Sequence, residues 1–225
     1  MKRKREMEKR SELRSAIDEL SMIAKVQPGD NLDAAHIATK PFLHVCTLIL
    51  QVLDKIGPTM AVLRQDIHQN IQRLEILCES DPTRYSNLIE MLKEEDSEGN
   101  ARKGTSCSRA FLWLTRSMDF MVDLLKRLVK NPGQNMEQAV EESYNITLKP
   151  WHGWISSAAF KMESLQVALK LVPDNETFIS LLMTKDQTYD NLREDMQTLI
   201  SLLVPILEEI HSMLNFYRLG RLKST

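Results

Sequence analysis

Asp66, Asn70 and Arg73 stand at i, i+4 and i+7 in residues 63–74, which read LRQDIHQNIQRL. At about 100° per residue, Leu63, Ile67, Ile71 and Leu74 share one helical face, and the three polar side chains form a stripe on its shoulder. Gln65, His68, Gln69, Gln72 and Glu75 fall on the side turned to water. A carboxylate, an amide and a guanidinium on the rim of an apolar face can hydrogen-bond one polar ligand while the side chains below receive something greasy. An amphipathic helix with an intrahelical Asp66–Arg73 pair accounts for the same stripe. Two aromatic features join it: Trp113 in an otherwise aliphatic segment, and the run Trp151, His152, Gly153, Trp154 after Pro150. An indole beside hydroxyl-binding groups can stack on the C–H face of a sugar ring, and an exposed indole suits a membrane interface. Read more plainly, Trp113 is a core residue and the second cluster starts a helix.

Covalent or metal chemistry finds less support. Five histidines are present, but there is no HExxH, and Glu208 with His211 makes a single ExxH. A carboxylate-bridged di-metal bundle needs two such motifs and two further carboxylates. No GxSxG, P-loop or Cys–His signature occurs. The sequence therefore predicts a non-enzyme with no metal site and no cofactor.

The elements that must position these groups are helices. The 225 residues suffice for one large domain, and 43% hydrophobic with 27% charged residues is ordinary for a globular chain. A net charge of −2 argues against a general nucleic-acid binder, and 7 glycines speak against turn-rich sheets. Cys46, Cys78 and Cys107 are odd in number and widely spaced, which points to free thiols and a cytoplasmic setting. No uninterrupted apolar run approaches the roughly 18 residues of a spanning helix. Residues 2–5 are basic and read as a solvated helix start or frayed tail. Helical periodicity predicts segments over 11–25, 42–54, 58–80, a shorter one ending in an exposed charged tail at 94–100, then 105–130, 135–148, 151–171, a short one after Pro173, and 188–217. Pro205 is expected to kink or split the last. About eight helices with short links make an all-α domain.

Taken in order, Asp66-Ile-x-x-Asn70-Ile-x-Arg73, Leu112-Trp113-Leu-x-Arg116 and Trp151-His152-Gly153-Trp154 resemble the glycolipid transfer protein family. The resemblance covers residues 40–225, leaving 1–39 as a basic N-terminal extension and helix. It implies a two-layer all-α sandwich whose helices part to admit lipid chains, a monomer that touches membranes transiently, and transfer without covalent chemistry. By that resemblance Asp66 accepts from the ceramide amide N–H and from sugar hydroxyls, and His152 donates to the ceramide carbonyl. Asn70 and Arg73 bind sugar hydroxyls, Trp113 is the stacking platform and Trp154 the membrane-docking indole. Phe111, Leu114, Phe160 and Leu214 help line the chain pocket.

The implied ligand is a glycosphingolipid such as glucosylceramide or galactosylceramide. A second branch of the family carries ceramide-1-phosphate and has a basic residue where Trp113 stands, so Trp113 and Asn70 favour a sugar head. Arg73 pulls the other way, since the sugar branch usually has Lys there and Arg suits anions. His68 and Gln69 replace small residues, and residues 161–166 make the stretch after Phe160 longer than usual. A helical lipid sensor or partner-binding module without efficient transfer is the remaining alternative.

Overall fold

The hydrophobic periodicity becomes eight α-helices among the residues that the computed structural model describes, 11–23, 36–152 and 169–223. They are α1 (Glu12–Ile23), α2 (Thr39–Asp54), α3 (Ala61–Ser80), α4 (Leu88–Ser97), α5 (Cys107–Lys130), α6 (Met136–Thr147), α7 (Asn175–Leu182) and α8 (Tyr189–Phe216). The only β pairing among these residues is an isolated bridge between Ala38 and Asn87, which joins the start of α2 to the start of α4. The fold is the expected all-α, two-layer helical sandwich. The expected helix over 151–171 falls largely outside the described residues, as do Trp154, Phe160, residues 161–166 and the basic residues 2–5.

Packing forms a closed circuit around the core. Helix α5 lies against α3 and α8, α8 against α1, α1 against α2, and α2 returns to α3, while α6 packs on the remaining side of α5. Each helix turns its apolar stripe inward. Leu13, Ala16 and Leu20 of α1, Phe42, Leu53 and their neighbours of α2, and Ile67, Ile71 and Leu74 of α3 are all buried in one cluster. Each such large side chain contributes roughly 1.5–3 kcal/mol by leaving water. The sequence boundary at Lys40 falls inside the first turn of α2, and α1 shares the same core. Helix α8 is long and apolar enough to cross a membrane by length and composition. Its residues from Leu192 to Leu214 bury a face against α5 and α1.

One expectation is narrowed and one needs correction. Helix α8 runs unsplit through Pro205, which sits on the exposed side. Glu94 to Ser97 belong to α4 and are not a bare charged loop. Glu95 reaches back to the start of α5, where its two carboxylate oxygens accept from the Cys107 and Ser108 N–H groups at 2.8 and 2.7 Å. The Ser106 hydroxyl accepts from Arg109 N at 3.0 Å, and Ser106 N donates to the Lys103 carbonyl at 3.1 Å. All four otherwise orphaned N–H groups of α5 are thus satisfied, with a carboxylate at the positive end of the helix dipole.

Glu95→Ala leaves two of those donors without their charged acceptor. The expected loss is about 2 kcal/mol. At roughly 2–4 °C per kcal/mol for a chain of this size, calorimetry should show the melting temperature lowered by roughly 4–8 °C.

Candidate functional site

The candidate polar side chains converge because α3, α5 and α6 meet along α5. A cavity of about 310 Å³ opens between them. Helix α3 supplies Asp66, Asn70 and Arg73, α5 supplies Arg109 and Trp113, and α6 supplies Val140, Glu141 and Tyr144. The turn after α6 adds Leu148 and His152, and Leu63, Met60 and Leu169 give the wall its apolar part. One mixed cavity therefore holds Asp66, Asn70, Arg73, Trp113 and His152.

Asp66 is the electrostatic centre of this wall. Asn70, itself buried, donates from Nδ2 to the Asp66 carboxylate at 3.1 Å, one turn along the same helix. Burial raises the Asp66 pKa above its ordinary 3.8, while the Arg73 charge and the Asn70 hydrogen bond pull it back. Arg73 is held on its other side: Nη1 donates to the carbonyls of Ser106 and Gly104 at 3.3 and 3.4 Å. Its guanidinium thus links α3 to the loop that leads into α5.

Trp113 is half-buried on the cavity wall and not a closed core residue. The His152 ring stacks on it, with centroids 5.9 Å apart and planes 27° from parallel. On α5, the Arg116 guanidinium lies 4.8 Å from the Trp113 ring centre and 4.2 Å from that of Trp151. His152, Trp113, Arg116 and Trp151 form a continuous series of ring and cation contacts. Arg116 is only 2% exposed and donates from Nη2 to the Gly220 carbonyl at 3.1 Å. Burial lowers its pKa to about 10, with Asp119 opposing and Arg109 adding to the effect, so it stays charged at neutral pH. Arg109 donates to the Lys223 carbonyl, and the two arginines tie the C-terminal segment to α5. Burial and the nearby Arg116 charge both lower the His152 pKa below 6.5, which keeps the imidazole neutral.

The sequence reading passed over several wall residues. Gln69, placed on the water side by the helical wheel, is exposed yet lines the cavity mouth. Arg116 stood in a quoted motif without a role, although its i+3 spacing from Trp113 puts the two on one helix face. Tyr144 and Glu141 carried no signal, because a turn at Lys149-Pro150 separates them from His152 and no periodicity spans it. Phe111, Leu114 and Leu214 lie within the closed core and do not line the cavity. His211 of the lone ExxH pairs with Asp119 across the α8–α5 contact at 2.9 Å.

Comparisons with known proteins agree with this architecture. The family model described as Glycolipid transfer protein (GLTP) matches residues 37–184. Glycolipid transfer protein 3 of Arabidopsis thaliana is 56% identical over the whole of both chains. Among solved structures, that showing how FAPP2 selects simple glycosphingolipids using the GLTP-fold has a TM-score of 0.74 at 23% identity, over 90% of this chain and 95% of its own. A mutant of accelerated-cell-death 11 from Arabidopsis, complexed with ceramide-1-phosphate, has a TM-score of 0.80 at 17% identity, over 94% and 98%. At these identities the two structures speak to the fold.

A raised Asp66 pKa means that the folded state resists ionisation more than the unfolded chain does. Above both pKa values the ionised carboxylate therefore opposes folding, and that opposition fades as pH falls through the folded value toward 3.8. Asp66→Asn should keep the fold, with a melting temperature at pH 7 equal to or above that of the parent. Its advantage should vanish in thermal melts near pH 4.

Proposed function

We propose, starting from the fact that this chain belongs to the glycolipid transfer protein family and is a lipid transfer protein, that its cargo is a monoglycosylceramide such as glucosylceramide or galactosylceramide. It takes the lipid as a monomer from one membrane to another from the cytoplasm, touching each surface only transiently, and makes or breaks no covalent bond. The observation that carries this reading is Trp113 on the cavity wall beside the Asp66–Asn70 pair. An indole face suits the C–H face of a sugar, and the neighbouring carboxylate and amide suit its hydroxyls and the ceramide amide N–H.

Electrostatics support the neutral head. The Arg73 guanidinium, the natural partner for a phosphate, already donates to two loop carbonyls. Glu141 places a carboxylate on the same wall, where a phosphate would meet like charge. Arg73 and Arg109 both line the cavity, and that pair favours ceramide-1-phosphate as the second reading.

Selectivity arises from the head and not from the chains. Each acyl methylene contributes about 0.8 kcal/mol on leaving water, but the donor bilayer already provides that burial. Polar groups built to meet hydroxyls stay unsatisfied when plain ceramide enters, which discriminates strongly.

Transfer of fluorescent glucosylceramide, galactosylceramide and ceramide-1-phosphate between vesicles tests the reading. The parent protein should move the glycosylceramides and leave ceramide-1-phosphate largely behind. Trp113→Ala should reduce glycosylceramide transfer by about tenfold or more, the loss of one buried aromatic contact. A preference for ceramide-1-phosphate overturns the sugar assignment, and absence of any transfer overturns the carrier role.

A further inference from the structure

Helix α6 carries two adjacent glutamates that the fold treats differently. Glu142 is fully engaged: Arg127 Nη1 and Gln134 Nε2 donate to its Oε2, the latter at 3.1 Å, and Gln138 Nε2 donates to Oε1 at 2.8 Å. Glu141 is half-buried, lines the cavity and makes no hydrogen bond or ion pair with any of the described residues. We propose that Glu141 is a specificity-determining residue for the head group: its carboxylate accepts from the outer hydroxyls of the sugar and repels a phosphate. This role deepens the glycosphingolipid reading and rests on it.

Glu141, Tyr144 and Leu148 stand at i, i+3 and i+7, so they share one face of α6 and its end, and all three line the cavity. Tyr144 on that face meets His152, with its hydroxyl 2.8 Å from Nδ1. Helices α3 and α6 both pack along α5. Asp66 and Glu141 therefore reach the cavity from separate helices, with Trp113 on the helix that they share as a neighbour. A sugar stacked on an indole gives its C–H face to the ring and spreads its hydroxyls around the edge. Those toward α3 meet Asp66 and Asn70, and those toward α6 meet Glu141.

The other charged groups on the wall are already engaged. Asp66 accepts from Asn70, Arg73 donates to the Gly104 and Ser106 carbonyls, and Arg109 donates to the Lys223 carbonyl. Glu141 alone among the charged side chains of this wall has no partner among the described residues. An ionised carboxylate only accepts, and its two oxygens can take two neighbouring hydroxyls at once. Covering it with a ligand is costly unless donors replace the water it loses. A sugar brings such donors, whereas a phosphate brings chiefly acceptors and like charge. The same side chain thus attracts one head and rejects the other.

Titration calorimetry of the full chain with short-chain glucosylceramide and ceramide-1-phosphate tests this role in the parent, Glu141→Gln, Glu141→Ala and Glu142→Gln. Glu141→Ala should lower glucosylceramide affinity by about tenfold or more, the loss of hydrogen bonds to a charged acceptor. For a glucosylceramide lacking the hydroxyl that Glu141 meets, found by removing hydroxyls one at a time, the same substitution should have a much smaller effect. Both Glu141 variants should bind ceramide-1-phosphate about threefold or more tighter than the parent, with an unchanged melting temperature. Glu142→Gln makes the same change in net charge outside the cavity and should shift neither affinity. Head-group preference unaltered in both Glu141 variants, or shifted equally by Glu142→Gln, overturns the role of Glu141 and leaves the proposed function standing. A parent protein that prefers ceramide-1-phosphate, or binds neither lipid, overturns the proposed function and this role with it.

Discussion

A carboxylate drawn most of the way out of water governs this molecule. Asp66 belongs to a helix whose other inward residues, Asn70 apart, are apolar, and its ionised form is tolerable there only with compensation. Asn70 provides a hydrogen bond and Arg73 a charge, both from the same helix. Compensation is partial, because burial remains the larger effect. An acceptor that its own protein leaves incompletely satisfied gains most when a ligand brings donors to it. Arg73, whose charge steadies the carboxylate, also donates to the carbonyls of the loop before α5.

Helix α5 converts that local electrostatics into a shaped site. Glu95 and Ser106 satisfy its first turn, and Arg109 and Arg116 hold the C-terminal segment against it. Between these anchors the helix cannot slide or rotate freely, so Trp113 is presented at a defined angle. Arg116 contributes twice, since its guanidinium lies against two indoles and its charge helps to keep His152 neutral. A buried arginine is an unusual support for an apolar platform. The carbonyl of Gly220 and the two ring faces take over part of what water would otherwise supply, while Nη1 is buried without a hydrogen-bond partner among the described residues.

The cavity is small for an entire lipid. At about 310 Å³ among the described residues, it lies at the low end of the roughly 300–1,000 Å³ range of small-molecule pockets. Phe111, Leu114 and Leu214 are closed within the core, so chains could reach them only if helices separate. Such separation would expose apolar side chains for a lipid to cover, an exchange of one set of apolar contacts for another.

Local regularities made much of this legible in the sequence. The 3.6-residue period, the Pro and Gly breaks and the scarcity of glycine determined an all-helical chain and most helix limits, because those signals act within a few residues of backbone. The stripe of Asp66, Asn70 and Arg73 was legible for the same reason. Glu94 to Ser97 were misread because their outcome depends on contacts with distant residues. By itself the sequence determined the helices and the residues each one offers. Only the tertiary structure decided that Arg73 anchors a loop, that Arg116 lies between two indoles, and that Tyr144 meets His152. These contacts cross between helices or turns that share no period, so their partners are chosen by packing and not by spacing along the chain.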